Sequence, residues 1–328
     1  MPQKQIMYRD AICQALDEEM ARDDKVFMIG EDVGLIGGNF KTSVGLLEKY
    51  GDMRMKDSPI SEAGIVGMGV GAAIVGLRPV VELMFGDFIM VAMDQIANQA
   101  AKISYMSGGQ VRVPLVIRTP MGGGRSSAAQ HSQSLHAWVA HIPGLKVVVP
   151  STGGEAKGLL KTAIRDENPV IFFEHKMLYT VKFDDVADAS EDLCIPFGKA
   201  RMVTEGSDLT VVTNSIMTVK TEKVVRELQK DGHSIEHIDL RTIVPMDTEA
   251  IIRSVAKTGK LLIVDEGHIS FGISGEIMAR VMPEVFYQLE APMQRLGTAD
   301  APLPFSPALE MPMIPDEKAI AAKIREML

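Results

Sequence analysis

Short apolar runs alternate with longer stretches of helical spacing through the first half of the chain. The runs "KVFMIG" (25–30), "RPVVELMF" (78–85), "VPLVIRTP" (113–120), "LKVVVPS" (145–151) and "PVIFFEHK" (169–176) have strand length. They are too apolar to face water on either side. Between them, residues 62–76, 87–105 and 153–166 repeat apolar positions at helical intervals and predict helices. Strands and helices in strict alternation imply a largely parallel sheet covered on both faces.

The pattern stops in "TVKFDDVADASEDLCIPFG" (180–198), which is acidic, aperiodic and suited to a linker. It then resumes with strands in 207–215, 234–243 and 260–268 and helices over 216–230, 247–258 and 272–283. A last strand at 293–298 precedes the helix "DEKAIAAKIREML". The expectation is an α/β protein of two three-layer α/β/α domains with largely parallel sheets. Their bounds are 1–185 and 199–328, with a linker over 186–198. The sequence contains no repeat and no low-complexity segment.

Composition narrows the picture mainly by exclusion. The 328 residues are 46% hydrophobic and 23% charged, as globular chains are, and the 22 methionines suit an adaptable interior. A net charge of −9 without a basic run argues against a nucleic-acid groove, which needs clustered Lys and Arg. Cys13 and Cys194 lie far apart and form no CxxC, which excludes a cysteine-ligated cluster and disfavours a disulfide framework. The first twenty residues carry acids in an amphipathic run and resemble neither a signal peptide nor a typical transit peptide, so a cytoplasmic, reducing setting is expected. The most apolar stretch, 63–77, is glycine-studded and short of the roughly 20 residues a membrane span needs.

Familiar templates are absent: no GxGxxG follows a strand, and neither GxxxxGK[ST] nor HExxH occurs. His131, His136 and His141 are five apart and share no helical face, which disfavours a metal site. Two positions could carry chemistry. Glu62, in "DSPISEAGIVG", would sit in the first turn of a helix that Ser61 could cap, where a carboxylate simply suits the helix dipole. Alternatively, a carboxyl pinned there between a strand end and a buried helix would share a proton with a ligand. Ligands of open α/β sheets bind beyond the carboxyl ends of the strands. The loops after strands 78–85 and 113–120 would bring Phe88 and His131 to that mouth. His131 lies in "RTPMGGGRSSAAQHSQSLHAWVAH", and the flanking Gln130 and Gln133 are expected to form a polar cradle that sets its tautomer.

The blocks "DSPISEAGIVGMGVGAAIVGLRPVVELMFGDF", "DQIANQAAKISYMSGGQ", "AAQHSQSLHAWVAHIPGLKVVVPS" and "AKGLLKTAIRDENPVIFFEHKMLY" together resemble one family. It is that of the β-subunits of the thiamine-diphosphate-dependent decarboxylase component of 2-oxo acid dehydrogenase complexes. "DLRTIVPMD", "VDEGH" and "PFSPALE" extend the resemblance through a transketolase-type C-terminal domain, so that it covers nearly the whole chain.

The resemblance implies a transketolase-like fold and a role for particular residues. Glu62 matches the glutamate that hydrogen-bonds a ring nitrogen of the cofactor's aminopyrimidine. Phe88 matches the aromatic packed on that ring, and Ile60 lies beside it in the same binding stretch. His131 matches a histidine facing the substrate or the incoming lipoyl group. Glu31 would line a solvated channel between two cofactors or be no more than a solvated acid at a strand end. Ala163, Asp166 and Asn168 fall in a region resembling a potassium site built from carbonyl oxygens.

Thiamine enzymes hold their diphosphate through magnesium on a GDG segment, which this chain lacks. The resemblance therefore implies an α-subunit that holds the magnesium, in an α₂β₂ heterotetramer, and a lipoyl-carrying acyltransferase as the further partner. Pyruvate or acetoin is the favoured substrate. A branched-chain 2-oxo acid dehydrogenase subunit and half of a split transketolase are the alternatives.

Overall fold

The computed structural model describes residues 5–186 and 192–328, so the expected linker at 186–198 lies partly outside the described residues. In chain order the strands of the first half are β1 (Ile6–Met7), β2 (Val26–Gly30), β3 (Met55–Asp57), β4 (Arg78–Glu82), β5 (Val116–Met121), β6 (Lys146–Val148), β7 (Val170–His175) and β8 (Lys182–Phe183). Those of the second half are β9 (Arg201–Thr204), β10 (Leu209–Thr213), β11 (Ile235–Asp239), β12 (Thr242–Val244), β13 (Leu261–His268) and β14 (Gln294–Thr298).

A seven-stranded sheet runs in the order β12-β6-β7-β5-β4-β2-β3, and a five-stranded sheet in the order β14-β13-β10-β11-β9. Within the large sheet every pair is parallel except β12–β6. In the smaller one only β9 runs against its neighbour. The apolar runs became central strands because both of their faces are covered. Val26–Gly30, Val116–Met121 and Val170–His175 are buried at every position. On one face of the large sheet the helices Tyr8–Arg22 and Gly153–Arg165 pack together, laced by Lys161–Glu18 (2.7 Å) and Arg165–Glu19 (2.5 Å). The other face carries the helix Glu62–Ile74, where Gly69 permits close approach to β4: a Cβ there would come within 2.7 Å of Val81.

Three expectations need correction. The segment 87–105 is not one helix. It is a 3₁₀ stretch (Gly86–Ala92), a π stretch (Asp94–Ala100) and a short α-helix (Ile103–Met106). The changes of period keep Ile89, Ala92, Ile96 and Ala100 all facing the core. The run 234–243 is not one strand: the chain turns at Arg241, whose φ of 59° is left-handed, and β12 crosses to pair antiparallel with β6 in the other sheet. Ser61 begins the helix without capping it through its side chain. The amphipathic N-terminus, left unassigned by the strand pattern, is the helix Tyr8–Arg22.

Each of the two main apolar cores draws residues from both halves of the chain, Tyr8 with Leu209 in one and Ile29 with Ile263 in the other. Both cysteines are free. Among the described residues no helix is long and apolar enough to cross a membrane.

Candidate active site

The carboxyl ends of β2, β4 and β5 are adjacent, and the residues that follow them converge. Glu31 comes directly after β2 and is 7% exposed, with Oε1 buried and without a partner. Burial raises its pKa, and the charges of Glu62, Asp32 and Glu82 raise it further. Beside it, Asp32 is held at a left-handed φ of 57° and is exposed, so the strand end is a strained turn. Glu62 opens the helix Glu62–Ile74, is 6% exposed, and takes no hydrogen-bond or ion-pair partner among the described residues.

Phe85 and Phe88 follow β4, and the helix that Glu62 opens packs on their segment. The His131 ring stands edge-on to both, 4.7 Å from Phe85 and 5.3 Å from Phe88 between centroids. The surroundings of this imidazole are therefore aromatic, and the expected polar cradle is a misreading. Gln130 is exposed, and Gln133 spends its backbone and side-chain N–H groups on Asp87 Oδ1, at 3.1 and 2.9 Å. Asp87 Oδ2 and the Ser132 hydroxyl are buried there without partners.

Charged groups that the sequence reading missed underlie this mouth. Arg118, on β5 and 1% exposed, donates two hydrogen bonds to Glu174 of β7, at 2.8 and 2.7 Å. It also pairs with Glu82 of β4. Thr42 and the Tyr179 hydroxyl complete the chain by donating to Glu82 (3.2 Å) and to Glu174 (2.7 Å). Burial nevertheless leaves the Glu82 pKa raised, despite the Arg118 charge beside it. The available signal was one charged residue inside each of three apolar strands, in "VVELMF", "LVIRTP" and "VIFFE". Lys176 was missed as well. Its ammonium donates to the His131 carbonyl and lies over the Phe85 ring, and burial brings its pKa down to about 8.

Ile60 and the cluster around Asp166 complete the set of candidates. Ile60 is at the surface, 81% exposed, on the approach to the helix that Glu62 opens. Ala163, Asp166 and Asn168 do cluster at the end of the helix Gly153–Arg165. Their oxygens are engaged: the Ala163 carbonyl accepts the Asp166 amide at 3.2 Å, and the Asp166 carbonyl accepts Arg78 at 3.2 Å. The Asp166 carboxylate binds Lys146 and accepts both N–H groups of Asn168. An alkali cation there would share these oxygens with the Arg78 and Lys146 side chains. Among the described residues no group of His, Cys, Asp and Glu could hold a metal ion.

Comparison with known proteins bears on both halves. The family model for the transketolase pyrimidine-binding domain matches residues 4–182, and that for the transketolase C-terminal domain matches residues 198–320. The chain is 47% identical to the pyruvate dehydrogenase E1 component subunit beta of Rickettsia bellii, over 98% of each chain. It is 47% identical to the human mitochondrial pyruvate dehydrogenase E1 component subunit beta, over 99% of this chain and 91% of that one. It is 44% identical to the 2-oxoisovalerate dehydrogenase subunit beta of Bacillus subtilis, over 98% of each. Among solved structures, a split-gene transketolase, described as an inactive beta4 tetramer, superposes with a TM-score of 0.78 over 99% of both chains. At 22% identity, that likeness speaks for the fold alone.

Proposed function

The chain belongs to the family of E1 β-subunits of thiamine-dependent 2-oxo acid dehydrogenase complexes, and from that premise we propose that it supplies the pyrimidine-binding half of a shared thiamine-diphosphate site. An α-subunit completes the site in an α₂β₂ heterotetramer and holds the magnesium and diphosphate. The assembly decarboxylates a 2-oxo acid, or cleaves acetoin, and passes the acyl group to the lipoyl arm of an acyltransferase. The same reading treats 1–185 and 199–328 as separate domains about a 186–198 linker, and takes the setting as cytoplasmic, although the human relative is mitochondrial.

The residues present fit half of the cofactor. A buried, unpartnered Glu31 oxygen, the buried Glu62 and the Phe85–Phe88 pair suit a flat ring bearing hydrogen-bonding nitrogens. They do not suit a diphosphate, because the charges acting on Glu31 are all acids and the chain has no GDG segment. When bound, thiamine diphosphate supplies the electron sink for breaking the bond beside the substrate carbonyl.

The chain's own residues orient the ring and move protons. Glu62 would hold a proton between its carboxyl and a ring nitrogen, and burial together with the Glu62 charge raises the pKa of the neighbouring Glu31. Phe88 packs on the ring face and Ile60 closes its rim. His131, walled by Phe85 and Phe88, delivers a proton to the thiolate released when the lipoyl dithiolane opens.

The observation that carries this reading is the convergence of Glu31, Glu62, Phe88 and His131 beyond adjacent parallel strand ends. It is tested by calorimetry on the isolated chain and on the α-containing assembly. Magnesium-dependent, micromolar binding of thiamine diphosphate is expected for the assembly alone; the same binding by the isolated chain would refute the shared site. The 44%-identical 2-oxoisovalerate relative keeps a branched-chain substrate in view. A panel of pyruvate, branched-chain 2-oxo acids and acetoin, assayed with an artificial electron acceptor, separates these substrates.

A further inference from the structure

The loop that carries His131 is held from the second domain, by residues that the functional reading leaves unused. Glu266, on β13, and Glu310, in the short helix Pro307–Glu310, are both buried, 6% and 0% exposed. Both carboxylates point across the domain boundary into the loop after β5. Glu310 accepts the Gly124 amide on one oxygen and the Ser126 amide on the other, each at 2.8 Å. Glu266 Oε1 accepts the Gly123 amide at 2.7 Å and the Ser134 hydroxyl at 3.3 Å. Its Oε2 is bonded to His175 Nε2 at 2.8 Å. His175 Nδ1 accepts the Met177 amide at 3.1 Å, so the ring proton sits on Nε2 and is donated to Glu266.

The loop is built to accept this grip. A Cβ at Gly122 would run into the His175 ring, and one at Gly123 would meet Ile314 at 2.5 Å and Leu303 at 2.8 Å. Ser126 and Ala128 are held at left-handed φ values of 54° and 59°, a strain that persists only where surrounding contacts over-determine it. Five residues beyond Ser126, Lys176 holds the His131 carbonyl. The glycine run "MGGGR" is therefore a place where the second domain touches the active-site loop.

We propose that Glu266 and Glu310 are positioning residues for His131, through which the second domain sets the imidazole for proton delivery. This rests on the assignment of His131 as proton donor. Burial opposes ionisation of Glu266, yet His175 and the Gly123 amide hold its carboxyl down to about 2, so Glu266 meets the loop as a carboxylate. A carboxylate that accepts two loop amides cannot be replaced by a methyl group without leaving both donors unpaired.

The test uses the assembled α-containing enzyme bearing Glu310→Ala, Glu310→Gln, His131→Ala and the double variant Glu310→Ala/His131→Ala. Size-exclusion chromatography confirms assembly. Amide hydrogen exchange in peptides covering 122–135 should rise in Glu310→Ala and less in Glu310→Gln, which keeps one acceptor. Lipoyl acylation should fall roughly 10- to 100-fold in Glu310→Ala, as small misplacements of catalytic groups do. In the His131→Ala background the same substitution should change it less than about twofold, because both variants then remove one function.

Unchanged exchange in the loop overturns the proposal, and if Glu310→Ala fails to assemble, Glu310→Gln is judged by the same criterion. An equal fold-loss in both backgrounds also overturns it, since Glu310 would then act independently of His131. Full acylation by His131→Ala alone would bring down the assignment of His131, and with it the role given to the two glutamates.

Discussion

Glu31 and Glu155 are both buried, and the protein treats them in opposite ways. Glu155, 1% exposed at the start of the helix Gly153–Arg165, is saturated. It accepts the Ser151 and Thr152 amides and pairs with Arg201 at 2.6 Å and Arg241 at 2.8 Å. Its neighbour Asp239 pairs with Arg201 and accepts the Arg241 amide, yet burial and the Glu155 charge push its pKa up to about 7. Burial opposes the Glu155 charge, but Arg201 and Arg241 outweigh it and lower the pKa. At the mouth no cation answers Glu31 or Glu62, and the Glu31 pKa moves up. Glu155, answered by Arg201 and Arg241, ties the two halves of the chain together, whereas the acids at the mouth have no such partner. A buried polar group without a partner is expensive enough to call for a functional reason.

Substitution at each cluster would sharpen the contrast. Glu62→Gln should lower turnover of the assembled enzyme by about 10²–10⁴-fold, the usual contribution of a positioned acid–base group, with little change in melting temperature. Turnover and hydrogen–deuterium exchange at the cofactor's reactive carbon are the measurements, and wild-type rates in both would erase the distinction. His131→Ala should reduce lipoyl acylation by roughly 10²-fold while sparing more of the activity with an artificial acceptor. Parallel assays on one preparation decide between these outcomes.

Glu155→Ala should behave in the opposite sense, destabilising the fold by about 3 kcal/mol, because the partly buried Arg241 loses its anion, Arg201 keeps only Asp239, and the Ser151 and Thr152 amides lose their acceptor. Denaturant titration measures that loss, and activity per folded molecule should stay close to wild type.

The smallest effect concerns pH. Burial depresses Lys176 from 10.5 to about 8, so between those values the unfolded chain binds the proton more tightly than the folded one. Stability from this group accordingly rises with pH across that window. Lys176→Met should therefore gain on the wild type at pH 7, by at most about 3 kcal/mol, less the lost bond to the His131 carbonyl. The difference should shrink as pH climbs from 8 towards 10.5, which chemical denaturation at several pH values would follow.

The sequence revealed most of the framework because strands buried on both faces announce themselves as apolar runs. It also located Glu31, Glu62, Phe88 and His131 beyond strand ends, since in a parallel sheet those positions follow from strand order. It misled where the cause was tertiary. Gln133 looked like a partner for His131, but Asp87, 46 positions earlier, takes its donors. Glu82, Arg118 and Glu174 lie in three separate strands, and only the sheet order makes them one ionic chain. "SIEHIDLRTI" reads as one strand because nothing local tells that residues after Arg241 find their hydrogen bonds in a different sheet. Glu266 and Glu310 stood inside the motifs "VDEGH" and "PALE", yet the Gly123 and Gly124 amides they accept lie more than 140 residues away.

The crossing of β12 has a practical consequence for anyone rebuilding this protein. It seals β6, which would otherwise be a bare sheet margin open to stray chains. A fragment ending near residue 198 would forfeit that seal and invite self-association, however complete its own fold. Chimeras that borrow a second domain from a relative must therefore match Thr242–Val244 to the recipient's β6, because those three residues are a loan from one domain to the other.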